Sequence, residues 1–108
     1  MSDAEYIVVL VTAGSPDEAE RIAEAVVKEG LAACVNIIGG CTSIYLWREK
    51  LEKENECLLF IKSSAAKFEK LASRIEELHS YEVPEIIAVP PSAISRNYRK
   101  YLESVLDR

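Results

Sequence analysis

The sequence predicts an α+β domain, a ferredoxin-like β-α-β-β-α-β order with a long β-hairpin and an added C-terminal helix. Three observations carry this. A continuous β-branched run, Tyr6-Ile-Val-Val-Leu-Val11, opens the chain; three separate stripes of apolar residues recur at helical spacing; and the stretch from Leu31 to about Ser63, between the first two stripes, reads as strand. The 108 residues make one domain, 1–108, without linker, repeat or low-complexity segment.

The unbroken first run suits a central strand covered on both faces, and it stops at Gly14. Ser15-Pro-Asp-Glu18 then opens a helix. Ser15 is the N-cap, Pro16 suits the first helical position, Glu18 closes a capping box, and Asp17 and Glu18 meet the positive end of the helix dipole. Ala19, Ile22, Ala23 and Val26 form its buried stripe, and Gly30 ends it. In the β region that follows, Gly39-Gly40 interrupts one arm. Arg48–Glu56, with seven charged residues in nine, is expected to be its solvated turn. A second helix starts near Ser64, carries Phe68, Leu71, Ala72, Ile75 and Leu78 on one stripe, and ends around His79-Ser-Tyr81. Val83–Val89 is a short last strand with Pro84 at its entry and Pro90-Pro91 at its exit, where a missing donor matters least. Tyr98, Tyr101, Leu102 and Val105 mark the final helix.

Composition narrows the function classes. With 13 Lys+Arg against 18 Asp+Glu the net charge is −5, which disfavours a nucleic-acid partner, since phosphate contacts need a basic face. No apolar run approaches the roughly 20 residues of a bilayer span. The N-terminus carries Asp3 and Glu5 where a signal peptide would be basic, so neither membrane nor export is expected. Cys34, Cys41 and Cys57 are odd in number and form no C-x-x-C pair, and they read as small apolar residues in a reducing cytoplasm.

The hairpin is too long for its domain. Ala32–Lys50 is 19 residues, about 62 Å when extended, against a diameter of roughly 34 Å for a compact domain of this size. Gly39-Gly40 is the expected bulge or bend. Beyond it Ile44 and Leu46 alternate with Tyr45 and Trp47, so both faces of the projecting ribbon are apolar. Either a second copy covers it, as in a cyclic homo-oligomer, or the aromatics fold back onto the chain's own helices.

Leu31-Ala-Ala-Cys-Val-Asn36, Ser43-Ile-Tyr-Leu-Trp47 with Lys50, Ile61-Lys62, and His79-Ser-Tyr-Glu-Val-Pro-Glu-Ile86 stand in the order and spacing of the CutA proteins, also called divalent-cation-tolerance proteins. The resemblance covers nearly the whole chain. It implies a cytoplasmic homotrimer of ferredoxin-like subunits, similar to the PII signalling proteins, with hairpins wrapping neighbours. It also implies a link to divalent-metal tolerance, binding of copper without any obligatory cofactor, and no assigned enzymatic reaction. Relatives proposed to hold copper carry a Cys late in the first strand and two adjacent His before a Pro-Tyr. Here those positions read Val11, Leu78-His79 and Ser80, so His79 alone remains as a metal ligand. Glu49 replaces the usual glycine two residues after the Trp.

The resemblance places Tyr45, Trp47, Lys50, Lys62, His79, Tyr81 and Glu85 around a groove between subunits, basic groups beside aromatic walls that suit a small anion or a chelated ion. From the residues themselves His79 reads two ways, as a C-cap of the second helix or a structural packing residue, or as a ligand in a ligand or metal pocket. Lys62 and Glu85 are either ion-paired in a cleft, or else a structural salt bridge or two exposed strand ends. Three functions follow: a metal-ion response protein, a PII-like signalling module that binds an anionic metabolite and a partner protein, or an enzyme acting through Lys62, Glu85 and His79. No nucleophile elbow, P-loop or dinucleotide fingerprint supports the last.

Overall fold

In the computed structural model, which describes residues 5–107, the elements run β1 (Tyr6–Ala13), α1 (Pro16–Lys28), β2 (Cys34–Trp47), β3 (Lys50–Ser64), α2 (Phe68–Leu78), β4 (Ile86–Val89) and α3 (Arg96–Leu106). Asp3, used above against a leader peptide, lies outside the described residues. The strands form one antiparallel sheet in the order β2-β3-β1-β4, so β3 is inserted between the two strands that α1 connects. This is the predicted split β-α-β topology.

Strand alternation sorts the side chains. Val9, Val11 and Ala13 of β1 and Cys57, Leu59 and Ile61 of β3 point to the face that α1 and α2 cover, where Ile22, Val26, Leu71 and Ile75 complete a buried core. Each large aliphatic side chain buried there contributes about 1.5–3 kcal/mol. On the opposite face α3 covers only the end near Tyr6 and Ala33, through Leu102 and Leu106. The expectation that β1 is covered on both faces is therefore corrected. With 11 residues, α3 is about 16 Å long, and beyond its reach Ile38, Ile87 and Val89 stay 50%, 51% and 44% exposed.

Ser15 caps α1 as expected, its Oγ accepting from the Glu18 N–H at 3.2 Å. Glu18 does not close a capping box. Its side chain turns inward, is almost wholly buried, and takes its hydrogen bonds from Ser80.

The hairpin turn is shorter than its charge suggests. β2 and β3 stay paired out to Trp47 and Lys50, leaving Arg48 and Glu49 as a two-residue turn with φ of 51° and 70°. Leu51–Glu56 thus belongs to β3 and not to the turn, because continuous ladder pairing satisfies the backbone and the charged side chains still reach water. β1 ends at Ala13, opposite Cys57, so the rest of the hairpin runs past the sheet. The chain measures 45 × 26 × 23 Å, and its 6853 Å² of accessible surface exceeds the about 6,000 Å² of a compact monomer of its mass.

A bulge interrupts β2. Between the pairs Ile38–Leu58 and Cys41–Glu56, β2 carries one more residue than β3, with Gly40 at φ 75°. One extra residue inverts the alternation. Val35 and Ile37 share the helix-covered face with Ile61 and Leu59, whereas Cys41, Ser43, Tyr45 and Trp47 lie on the other face with Thr12 and Glu56.

Candidate functional site

Where β1 stops, the neighbouring stretch of β3 loses its partner, and the segment from His79 to Glu85 fills the place. Tyr81 anchors it: its hydroxyl donates to Glu56 Oε2 at 2.6 Å. Burial, followed by that bond and the Glu56 charge, pushes the Tyr81 phenol well above its ordinary range. Gly14 permits the approach, because a Cβ there would stand 3.1 Å from the Tyr81 hydroxyl.

Between this segment and the projecting hairpin opens a cleft of about 520 Å³. Ser43, Tyr45 and Trp47 form the hairpin wall, Thr12 and Glu56 the floor, and Tyr81 to Val83 with Glu85 the far wall. Tyr45 and Trp47 are each 39% exposed, so the aromatics neither stand free nor fold onto the helices. At the rim Arg48 lies over the Trp47 ring, 5.2 Å from its centroid, and pairs with Glu82 at 3.3 Å. Burial raises the Tyr45 phenol, and the charges of Glu54, Glu52 and Glu56 raise it further.

Behind the cleft lies a buried polar knot. The backbone of His79 ends α2, its N–H donating to Ile75 O, but its ring leaves the helix. Nε2 meets the Thr12 carbonyl at 2.7 Å; a carbonyl only accepts, so Nε2 carries the proton. Nδ1 is then free to accept from the Tyr81 N–H at 3.1 Å. Glu18 Oε2, 3.5 Å from Nδ1, takes the Ser80 N–H at 2.7 Å, and Oε1 takes the Ser80 hydroxyl at 3.0 Å. Burial pushes the Glu18 carboxyl up, but the two Ser80 bonds, His79 and the Gly14 backbone outweigh it and hold the group below its usual range.

The structure thus brings Tyr45, Trp47, Tyr81 and Glu85 to one cleft and separates the remaining candidates. Lys50 faces Trp47 across the last pair of the hairpin, outside the lining. Lys62 is far off: it lies opposite Val8, whereas Glu85 precedes Ile86, which lies opposite Val11. Of the readings of Lys62 and Glu85, that of separate strand ends therefore fits and the cleft pair is corrected, and Lys62 borders a second hollow of about 310 Å³ with Tyr6, Ile94 and Tyr98. Of the two readings of His79, capping and structural packing is the one that fits: the residue caps α2 and its ring is buried. The ring bonds β1 and not its own helix end, and with both nitrogens engaged it offers no lone pair to copper. Among the described residues no three His, Cys, Asp or Glu side chains gather to hold a metal ion. Glu56 and Glu82 are site residues that the motifs did not single out. The signal for Glu56 lies in the period of two running back from Leu58, once β3 is taken to start at Lys50.

Fold and site define a ferredoxin-like domain with a cleft at the root of a projecting hairpin. Comparison with known proteins then fixes the family. The family model described as CutA1 divalent ion tolerance protein matches residues 7–105, and the chain belongs to that family. A divalent-cation tolerance protein CutA of Thermus thermophilus is 46% identical over 95 residues, 88% of this chain and 92% of its own length. A solved Thermus thermophilus structure of this family superposes with a TM-score of 0.90 at 44% identity, covering 93% of this chain and 97% of that one. Synechococcus elongatus CutA superposes at 0.91 with 32% identity, over 98% and 94%. The chain spans about half the length, 54%, of a chloroplastic CutA of Arabidopsis thaliana, to which it is 39% identical over 91% of its own residues. The family is named for tolerance of divalent ions and not for a reaction. No helix among the described residues is long and apolar enough to cross a membrane.

Proposed function

We propose that this chain acts as a homotrimeric cation-binding protein in divalent-cation tolerance, with the hairpin cleft as its functional site at or near a subunit boundary. The observation that carries this is the lining of the cleft, which sets Glu56, Glu82 and Glu85 among aromatic walls and contains no lysine. The relatives' names supply the divalent cation. Copper held by His79 is not part of the proposal, because that ring is fully engaged. Divalent ions would be met by the carboxylates with their water shells largely retained.

The trimer is supported by apolar surface that one chain leaves open: Ile44, Leu46 and Leu51 near the hairpin tip are 63%, 72% and 74% exposed, and Ile38, Ile87 and Val89 add an open sheet face. A PII-like anion site would draw on Lys50 and Lys62, and neither lines the cleft. Catalysis through Lys62, Glu85 and His79 would need three groups that this fold keeps apart, so binding is the role we assign. Cytoplasmic residence is supported by the three free thiols.

Calorimetric titration of the full chain with Cu²⁺, Zn²⁺ and Mg²⁺ tests the site. The expected result is saturable binding that Glu85→Gln weakens and high salt suppresses. Saturable binding of nucleotides or dicarboxylates with none of the cations would overturn it. Native mass measurement should give three times the 12.0 kDa of one chain, and a monomer at micromolar concentration would overturn the trimer.

A further inference from the structure

Resting on the reading of the cleft as the cation site, we infer that its preferred ligand is a linear organic cation, a di- or polyamine with ammonium groups joined by methylenes, and not a bare metal ion. Four observations on the chain converge.

The cleft is aromatic as well as acidic. Tyr45, Trp47 and Tyr81 line it, and aromatic ring faces attract an ammonium and cover its methylenes. A hydrated metal ion cannot use those faces without losing its water. The carboxylates are also dispersed. Among the described residues no three of them converge as metal ligands would, whereas separate charges along a cleft of about 520 Å³ suit a ligand whose own charges are separated. Mg²⁺ in particular dehydrates reluctantly and demands close octahedral oxygens.

Glu56 supplies the third observation. It is only 7% exposed yet lines the cleft. Tyr81 occupies Oε2, while Oε1 takes no hydrogen bond from the described residues and is not sealed in the interior. A carboxylate oxygen so placed calls for a charged donor from within the cleft. Fourth, the chain already fills its own rim in this way: the Arg48 guanidinium, an organic cation, rests over Trp47 and against Glu82. The buried Glu56 and the exposed Glu85 lack any such partner among the described residues, and they would receive the ammonium groups of the ligand.

Trp47 is the only tryptophan of the chain and stands in the wall, so its fluorescence reports occupancy directly. The full-length protein is titrated with putrescine, spermidine and Mg²⁺ at fixed ionic strength, with calorimetry in parallel. Spermidine should give a saturable Trp47 signal at concentrations at least about tenfold below those of Mg²⁺, the order of one desolvated cation–aromatic contact. Glu85→Gln, at an exposed position to which the fold is indifferent, should weaken spermidine severalfold. Glu56→Gln should weaken it by roughly ten- to a hundredfold, as for a lost charged hydrogen bond, and Tyr45→Leu should reduce the preference for the amine over Mg²⁺. Lys62→Ala, outside the cleft, should change nothing. Divalent metals binding while the amines give no saturable signal would overturn this inference and leave the cation site standing. Neither class binding would overturn both, as would amine binding indifferent to Glu56→Gln and Glu85→Gln alike.

Discussion

Glu18 shows how far a single side chain can depart from its local role. At the third position of α1 it has the geometry of a capping-box acid, but tertiary structure offers better donors: the Ser80 N–H and hydroxyl, with His79 beside them. The sign of its pH effect follows. Its folded pKa lies below the ordinary 4.5, so its contribution is complete above that value and is lost as pH falls through the lower folded value. Urea midpoints should be level near neutrality and fall below about pH 4.5. Glu18→Gln should lower stability at pH 7 by about 1–3 kcal/mol and remove part of that acid slope; an unchanged slope would show that other carboxylates carry it. His79→Ala orphans the Thr12 carbonyl and the Tyr81 N–H, and about 2 kcal/mol of stability should go with it. Calorimetric Cu²⁺ binding should survive that substitution, and loss of the binding at retained fold would restore His79 as a ligand.

At the scale of elements, two features of the hairpin decide the site. The bulge at Gly39-Gly40 turns Tyr45 and Trp47 onto the face of Thr12 and Glu56; without the extra residue they would follow Val35 and Ile37 to the helix-covered face. The turn is the second feature. Both Arg48 and Glu49 hold left-handed backbone angles, which disfavour any side chain with a Cβ by roughly 1–2 kcal/mol. Arg48 is offset by its contacts with Trp47 and Glu82, whereas Glu49 makes no hydrogen bond or ion pair among the described residues. Glu49→Gly should therefore raise the denaturation midpoint, by up to about 1 kcal/mol after the entropy of the more flexible unfolded chain is counted. A fall in the midpoint would mean that Glu49 meets a partner on another subunit.

The whole molecule carries more apolar surface than one copy can use. Leu46 and Leu51 face each other across the ladder and together expose the tip of the ribbon. Placing Glu at both positions should shift the native mass from oligomer to 12.0 kDa while leaving far-ultraviolet dichroism unchanged, since neither residue belongs to the core of its own chain. An oligomer that survives the double change would move the interface to the open sheet face around Ile38 and Ile87. Because assembly would bury these residues, thermal midpoints should also rise with protein concentration.

Element order, helix stripes, the Ser15 cap and the bulge were all legible in the chain, because each is dictated by residues close in sequence: period, capping chemistry and glycine. Part of the cleft was legible too, through motif positions at the aromatic Tyr45, Trp47 and Tyr81 and at the acidic Glu85. What no local pattern specified was which residues share a space. The separation of Lys62 from Glu85 depends on where each falls in the register of β1, and the burial of His79 depends on a carbonyl 67 positions away. The charged run after Trp47 looked like a turn because charge reports solvent, not backbone pairing, and a strand edge can be wet as well. The sign of the cleft was decided in the same way. Sequence offered lysines and carboxylates alike, and only the bulge, the end of β1 and the Tyr81 anchor selected the carboxylates, since long-range pairing determines which of many charged side chains face one another.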